Sequence, residues 1–442
     1  MKMSAIYILT LSCFLLAFLG NPGNFYHVPL SEGAELCADD EIPREKNTGE
    51  IYDITGKPLV RNSPGGYNTF TLPEFHGNTV YLTIHEPLQS IAESELATLI
   101  SEHRPKYAWA VMADPKTGAI LAMVQQSHAD EDSGKNTPGR YRNHMVEDTF
   151  EPAQLMMPVI VCGALDSGVV SLTSPVRNDY QSKTCLSSDI MIGQFEVPDS
   201  ELKKQSMPVW QIVQKSENIG IAHLARVMGN GRMYQTLEHF GIGEPTGIGL
   251  PAESTGEFRP IDNLNHTVSV ALGYDYTMTC IQVVQAYCAL ANRGEMMQLH
   301  LVDRVVDSRN GETLFTGKPN VKRVVAGEKA VTDAVEALKK AVTPEGTASE
   351  AMIEGFEVCG KTGTAQKLGE GYPRRYGSHG YIASIIGFVP ADDPAFVLCI
   401  IADKPGGEFC YGGTVCAPTF RKIAEQSLRY LNVSPGMRAY ND

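Results

Sequence analysis

The sequence is poor in positive charge and contains no Cys-x-x-Cys motif, no internal repeat and no low-complexity tract. Lys and Arg total 37 against 51 Asp and Glu, which gives a net charge of −14, and no basic run is long enough to neutralise a phosphate backbone. The 10 cysteines lack the paired spacing and the neighbouring histidines of zinc modules. We therefore expect no nucleic-acid partner and no zinc module, and no motif suggests another metal or an organic cofactor.

Hydrophobic residues, in contrast, are plentiful. They make up 43% of the 442 residues, and charged residues make up 20%. This composition is typical of a folded protein rather than a disordered or collagen-like one. A chain of this length can bury one large core or two smaller ones.

The N-terminus carries an uncharged apolar run from Ala5 to Gly20. The run is shorter than the ~20 residues that span a bilayer unaided, although flanking residues can extend it. Its end, Ala17-Phe18-Leu19, is a poor signal-peptidase site, because such sites prefer small residues. We interpret residues 1–22 as a single uncleaved anchor in the cell inner membrane, with the main domain periplasmic or otherwise extracytoplasmic. A cleaved signal peptide is the alternative.

Apolar patterns near both ends of the chain predict strands. Val80–Ile84 is a candidate strand followed by an amphipathic helix, and Trp109–Ala113 with Ala119–Val124 predicts a hairpin. A second strand pair is predicted at Tyr381–Val389 and Ala395–Ala402, and the segment between the two pairs is mostly helical. This arrangement predicts an α+β domain whose antiparallel sheet is closed by N- and C-terminal strands.

The sharpest local motif is GKTGTAQ at residues 360–366, which we place on a strand. Lys361 supplies charge for a carboxylate, and Thr362 and Thr364 supply hydroxyl groups for hydrogen bonds. Gly363 would allow a ligand backbone to come close. Taken alone, the same residues could form a glycine-containing turn with a solvated lysine.

From about residue 49 onward the chain resembles the class B penicillin-binding proteins, which are monofunctional peptidoglycan D,D-transpeptidases. The landmarks of that family occur in order: GEIYDITG, VYLTIHEPLQ, ADPKTGAILAMV, DTFEP, KSENIG, GIGLPAE, AYCALANRGE, EGTA, GKTGTAQ, YIASIIGFVPADDP and YGGTVCAPTF. The resemblance implies a fold similar to that of serine β-lactamases.

The family uses three active-site elements, Ser-x-x-Lys, Ser-x-Asn and Lys-Thr-Gly. The second element matches at Ser216 and Asn218. The third matches at residues 361–363 and is followed by Thr364. The resemblance therefore implies that Ser216, Asn218 and residues 361–364 bind substrate.

The first element is degenerate. In DTFEPAQLMMP, Gln154 stands at the position of the nucleophilic serine and Met157 at that of the lysine, and Ala153 replaces a glycine. Acyl transfer needs a hydroxyl group to attack a carbonyl and an amine to accept its proton, and these residues provide neither. Loss of the nucleophile in a serine hydrolase costs on the order of 10⁶ in turnover, so we predict that covalent catalysis is abolished and that no catalytic residue is intact at Gln154 and Met157.

Other candidate nucleophiles are weaker. Ser200-Glu201-Leu202-Lys203 is formally Ser-x-x-Lys, but it lies in a charged, turn-rich stretch and more simply caps a short solvated helix. Cys162 falls within an apolar helix from Leu155 to Leu165, which predicts a core position. Glu217 adds negative charge near a site whose expected ligand ends in a carboxylate.

The backbone of the cleft does not depend on the missing side chains. The resemblance implies that the N–H groups of Gln154 and Thr364 form an oxyanion hole. We therefore expect weak, non-covalent affinity for a peptidoglycan stem peptide or a β-lactam.

The sequence predicts four segments: the anchor (1–22), a shortened pedestal (23–78), a transpeptidase-like domain (79–432) and a tail (433–442). We expect a pseudo-transpeptidase with a structural or regulatory role in peptidoglycan synthesis or cell division, docked to other cell-wall or divisome proteins. The short pedestal weighs against part of this role, because class B relatives contact partners through a larger one. The alternatives are an active transpeptidase with an unconventional nucleophile, and a stem-peptide or β-lactam sensor.

Overall fold

Strands and helices alternate along the chain. The computed structural model describes residues 51–59, 78–128, 142–178, 205–368, 376–407 and 410–435. The strands are β1 (Ile51–Tyr52), β2 (Thr79–Leu82), β3 (Tyr107–Ala113), β4 (Ile120–Ser127), β5 (Thr149–Phe150), β6 (Pro175–Asn178), β7 (Gln205–Pro208), β8 (Met278–Thr279), β9 (Glu295–Met297), β10 (Val302–Val306), β11 (Thr313–Thr316), β12 (Val321–Val324), β13 (Cys359–Leu368), β14 (Tyr376–Val389) and β15 (Phe396–Asp403).

The α-helices are α1 (Glu86–His103), α2 (His144–Glu147), α3 (Met157–Asp166), α4 (Val209–Lys215), α5 (Asn218–His239), α6 (Leu264–Ala271), α7 (Cys280–Ala291), α8 (Glu328–Ala341), α9 (Gly412–Val415) and α10 (Ala417–Tyr430). Short 3-10 helices lie at Ala153–Met156 and Ser349–Ala351. The apolar helix predicted from Leu155 to Leu165 thus begins as a 3-10 turn and continues as α3.

The central sheet has five antiparallel strands in the order β13-β14-β15-β3-β4. Both predicted hairpins are present, and strand β3 pairs with β15 along its whole length. In the β3–β4 turn Gly118 has φ +79°, and a Cβ atom there would lie 2.2 Å from the carbonyl oxygen of Gln298. The predicted α+β fold, with its sheet closed by N- and C-terminal strands, is confirmed.

Helices cover both faces of this sheet. Alternate residues of a strand point to opposite faces, so the fully buried strand β15 contributes to both sides. Leu398 and Ile400 pack with α1 and α10. Cys399 and Ile401 belong to the larger core, which also contains side chains of helices α3 to α8.

Helix α7 runs through the larger core. Its first eleven residues, 280–290, are all buried, and Thr279 and Gln282 form a capping box at its start. The hydroxyl of Tyr287 on this helix donates a hydrogen bond to the carbonyl oxygen of Leu155 at 2.7 Å. This bond fixes the 3-10 turn before α3, which forms one wall of the candidate site.

A second sheet has the strand order β1-β2-β10-β11. Strand β1 lies parallel to β2, with Ile51 opposite Val80. The buried carboxylate of Asp53 accepts hydrogen bonds from the backbone N–H groups of Lys57 at 2.7 Å and Glu86 at 3.2 Å. These bonds connect the turn after β1 with the first residue of α1.

Several predicted features lie outside the described residues. They are the anchor (1–22), most of the pedestal segment, the Ser200–Lys203 motif and residues 436–442 of the tail. In the part of the chain that the structure describes, no helix is both long and apolar enough to cross a membrane.

Candidate functional site

The three sequence elements meet in one cleft. The 3-10 turn and α3 carry Gln154 and Met157, the α4–α5 junction carries Ser216, and strand β13 carries Lys361 and Thr364. Direct contacts join these elements across the cleft: Lys361 Nζ lies 2.8 Å from Ser216 Oγ, Ser216 Oγ lies 3.9 Å from Met157 Sδ, and Thr364 N lies 3.2 Å from Gln154 Oε1.

The turn before Gln154 is tight. Ala153 is fully buried and has φ +47°, in the left-handed region that side chains with a Cβ atom disfavour. Its backbone N–H donates to the carbonyl oxygen of Gly273 at 3.0 Å. A Cβ atom on Gly273 would lie 2.0 Å from the carbonyl oxygen of Ala153, so this contact requires glycine.

The positions of the missing nucleophile and base hold a carboxamide and a thioether. Gln154 is half-buried, and its carboxamide oxygen accepts the hydrogen bond from the backbone N–H of Thr364. Met157 is fully buried. Neither side chain titrates or attacks a carbonyl at neutral pH, so these two residues provide neither a nucleophile nor a base.

Ser216 and Asn218 lie at the junction of two helices. Ser216 has φ +54° and ends α4, and its backbone N–H is bonded to carbonyl oxygens of that helix. Asn218 is the first residue of α5, and the side chain of Glu217 caps this helix by accepting from Ile219 N at 3.2 Å. The carboxylate of Glu217 is therefore bonded to the N-terminus of its own helix.

The carboxamide oxygen of Asn218 is shielded from solvent and has no hydrogen-bond partner among the described residues. Burial of such an atom is unfavourable unless a donor reaches it. An N–H donor that reaches this oxygen would satisfy it.

The side chain of Lys361 is fully buried. Its Nζ donates hydrogen bonds to Ser216 Oγ and to the carbonyl oxygen of Thr362, both at 2.8 Å. Burial lowers the pKa of Lys361 to about 7. The amine is therefore poised between its charged and neutral forms at physiological pH, and an anionic ligand beside it would favour the charged form.

The other residues of the third element, Thr362 to Thr364, contact neighbouring parts of the chain. The hydroxyl of Thr362 faces that of Thr347 at 3.5 Å, and the hydroxyl oxygen of Thr364 accepts from Gly412 N at 3.2 Å. A Cβ atom on Gly363 would lie 2.8 Å from Leu155 Cγ. We expected Gly363 to make room for a ligand backbone; in the structure that room is filled by the side chain of Leu155.

Sequence reasoning missed some residues of the cleft. Thr347 and Gly412 lie in the EGTA and YGGT landmarks, so the sequence carries a signal for both of them. Tyr274, whose hydroxyl oxygen accepts a hydrogen bond from the backbone N–H of Gln366, lies in no landmark.

The structure does not support Cys162 as an alternative nucleophile. Cys162 is fully buried in α3, and burial raises the pKa of its thiol, so the predicted core position agrees with the structure. Among the described residues, no cluster of His, Cys, Asp and Glu side chains could hold a metal ion.

A sheet with helices on both faces, and a cleft where Ser-x-Asn and Lys-Thr-Gly meet the start of a buried helix, define a transpeptidase-type domain. The model of the penicillin binding protein transpeptidase domain matches residues 108–425, so the chain belongs to this family. The predicted membership of the class B penicillin-binding proteins is confirmed.

Curated relatives and a solved structure also support membership of this family. Stage V sporulation protein D of Bacillus subtilis is 32% identical over 91% of this chain, and the probable peptidoglycan D,D-transpeptidase PenA of Neisseria gonorrhoeae is 30% identical over 91%. The chain spans 61% and 65% of the lengths of these two relatives.

The transpeptidase domain of Burkholderia pseudomallei penicillin-binding protein 3, solved in its apo form, superposes with a TM-score of 0.66 at 26% identity. The match covers 81% of this chain and 98% of that one.

Proposed function

We propose that the protein is a pseudo-transpeptidase of the cell wall: a penicillin-binding-protein fold that has lost covalent catalysis and retains a ligand-binding cleft. One observation carries this proposal. The two positions that need a hydroxyl nucleophile and an amine base hold Gln154 and Met157, and both side chains are engaged with the opposite side of the cleft.

The cleft still holds groups that a ligand can use. Lys361 offers a buried amine, Thr362 offers a hydroxyl group, and Asn218 offers an unsatisfied carboxamide oxygen. These groups support weak non-covalent binding of a stem peptide or a β-lactam. The proposal assigns them binding alone, because the positions of the nucleophile and the base hold Gln154 and Met157.

A specific observation favours a second candidate, an enzyme with an unconventional nucleophile. Ser216 and Lys361 form a hydroxyl–amine pair at 2.8 Å, and the pKa of Lys361, lowered to about 7 by burial, suits a general base. Against it, the N–H of Thr364, which would stabilise an oxyanion, is already bonded to Gln154. We therefore rank this candidate second.

The cellular role is part of the proposal. Residues 1–22 would anchor the chain in the inner membrane and place the main domain on the periplasmic side. There it would act structurally or as a regulator in peptidoglycan synthesis or cell division, docked to other cell-wall or divisome proteins. The names of the relatives support the cell-wall setting, since PenA of Neisseria gonorrhoeae is described as a probable peptidoglycan D,D-transpeptidase.

Fluorescent penicillin separates the two candidates. The purified chain is incubated with the label beside the variant Gln154→Ser/Met157→Lys and the variant Ser216→Ala, then resolved on a denaturing gel. We expect no covalent band on the native chain and a band on the double variant. A band on the native chain that is lost in Ser216→Ala would overturn the pseudoenzyme proposal in favour of the second candidate.

A further inference from the structure

We propose that Gln154 and Tyr274 determine the specificity of the cleft: they cap the free edge of strand β13 and weaken the binding of ligands that add to it as a β-strand. This inference rests on the proposed function, because it concerns what the cleft binds without covalent chemistry. Three contacts at successive outward positions of one strand carry it.

Strand β13 lies at the edge of the central sheet. Its strand neighbour in the described part of the chain is β14, with Gly363 opposite Ser384 and Thr364 opposite Ala383. In an antiparallel edge strand every second residue directs its N–H and C=O groups away from the sheet. The bond from Thr364 N to Gln154 identifies Thr362, Thr364 and Gln366 as the outward-directed set.

Each of these three residues already has a backbone group bonded to a side chain. The carbonyl oxygen of Thr362 accepts from Lys361 Nζ at 2.8 Å, and the N–H of Thr364 donates to Gln154 Oε1 at 3.2 Å. The backbone N–H of Gln366 donates a hydrogen bond to the hydroxyl oxygen of Tyr274. An extended peptide that pairs with β13 needs these same groups.

The carboxamide of Gln154 is well suited to this role. Its oxygen is an amide carbonyl, which is the acceptor that a peptide strand would itself present to Thr364 N. The 3-10 turn that carries it is held by the Tyr287–Leu155 bond and by the Ala153–Gly273 bond. Gln154 thus behaves as a ligand built into the chain.

Tyr274 reaches the strand from the loop after α6. It directly follows Gly273, whose carbonyl oxygen accepts from Ala153, so the loop that carries Tyr274 is tied to the turn that carries Gln154. Burial, with a smaller contribution from Glu151, raises the pKa of Tyr274 to about 12. Its hydroxyl group therefore stays neutral at physiological pH.

Removal of the caps should open the edge to peptide. One uncharged hydrogen bond changes affinity by roughly 3- to 10-fold, so Gln154→Ala should bind an extended peptide about that much more tightly. Gln154→Ala/Tyr274→Phe should gain about a further 3-fold. A ligand that contacts only Lys361 and Asn218 should bind the native chain and both variants with the same affinity.

Calorimetry on the full chain tests this, with a diacylated L-Lys-D-Ala-D-Ala peptide as the extended probe and D-alanine as the short probe. Gln426→Ala, whose side chain bonds to Glu95 and Lys422 away from the cleft, is the matched control. We expect tighter peptide binding for the two cap variants and native affinity for the control. Unchanged or weaker peptide binding by the cap variants, or no binding by any variant, would overturn the proposal.

A second measurement separates capping from a general effect on folding. Hydrogen exchange of the Thr364 amide should be slow in the native chain and at least several-fold faster in Gln154→Ala, while the amide of Gly363 stays protected by β14. Equal exchange at Thr364 in both would contradict the capping role of Gln154. Neither result depends on penicillin labelling. A failure of the capping proposal can therefore be told apart from a failure of the proposed function.

Discussion

The carboxamide oxygen of Gln154 accepts a hydrogen bond from the backbone N–H of Thr364, 210 residues away in sequence, at 3.2 Å. The substitution at the nucleophile position therefore does more than remove a hydroxyl group. It places an amide carbonyl against a donor that an acyl-transfer enzyme would keep free for its substrate. In the proposals above, Gln154 both takes the place of a nucleophilic hydroxyl group and caps strand β13.

The strained turn before Gln154 offers a stability test. Ala153 has φ +47°, and left-handed backbone costs roughly 1–2 kcal/mol for a residue with a Cβ atom, part of which glycine loses again through unfolded-state entropy. We expect Ala153→Gly to raise the free energy of unfolding by about 0.5–1 kcal/mol in urea denaturation. Ala164→Gly, within helix α3, is the control and should lower it by about 1 kcal/mol. A loss of stability in Ala153→Gly would contradict the strain.

The packing of strand β13 on the 3-10 turn gives a second prediction. A Cβ atom at Gly363 would lie 2.7 Å from Ser384 Oγ and 2.8 Å from Leu155 Cγ. We expect Gly363→Ala to destabilise the protein by about 1–3 kcal/mol in thermal unfolding. The double variant Gly363→Ala/Leu155→Ala should lose less than the sum of the two single variants, because the shorter side chain relieves the overlap. Additive losses would show that the two residues do not compete for space.

The buried amine of Lys361 should make stability depend on pH. Its pKa is about 7 in the folded chain against an ordinary value of 10.5. Between these values the unfolded chain binds more protons, so stability should rise with pH by up to about 1.4 kcal/mol per unit, with no further gain above 10.5. Below about pH 7 both states are protonated, and the full penalty of burying the charge remains.

The variant Lys361→Met isolates this effect. Urea denaturation at several pH values between 7 and 10 should show a flatter profile for Lys361→Met than for the native chain. Lys329→Met, at an exposed lysine of α8, should keep the native slope. Identical slopes for the native chain and Lys361→Met would show that the amine is protonated in the folded state throughout this range.

Much of the site follows from the sequence. The Lys-Thr-Gly and Ser-x-Asn motifs located Lys361 and Ser216, because those residue types at those places carry a recognisable chemistry, and the structure brings their side chains to 2.8 Å. Continuous runs of apolar residues likewise predicted the hairpins around β3 and β15, since both strands are buried along nearly their whole length.

The contacts that define this particular cleft could not be predicted in this way. The Gln154–Thr364 bond depends on one rotamer and on the distance between two segments that the sequence does not relate. Tyr274 reaches Gln366 through a loop with no periodic pattern. The role of Gly363 depends on which neighbour fills the space beside it, and only the packing of Leu155 decides that.

Covalent labelling by fluorescent penicillin tests the central claim most directly. The native chain, Gln154→Ser/Met157→Lys and Ser216→Ala are compared in one gel, with intact-mass measurement of each sample. The account predicts an unmodified native chain and a penicilloyl adduct on the double variant. A penicilloyl adduct on the native chain would contradict it.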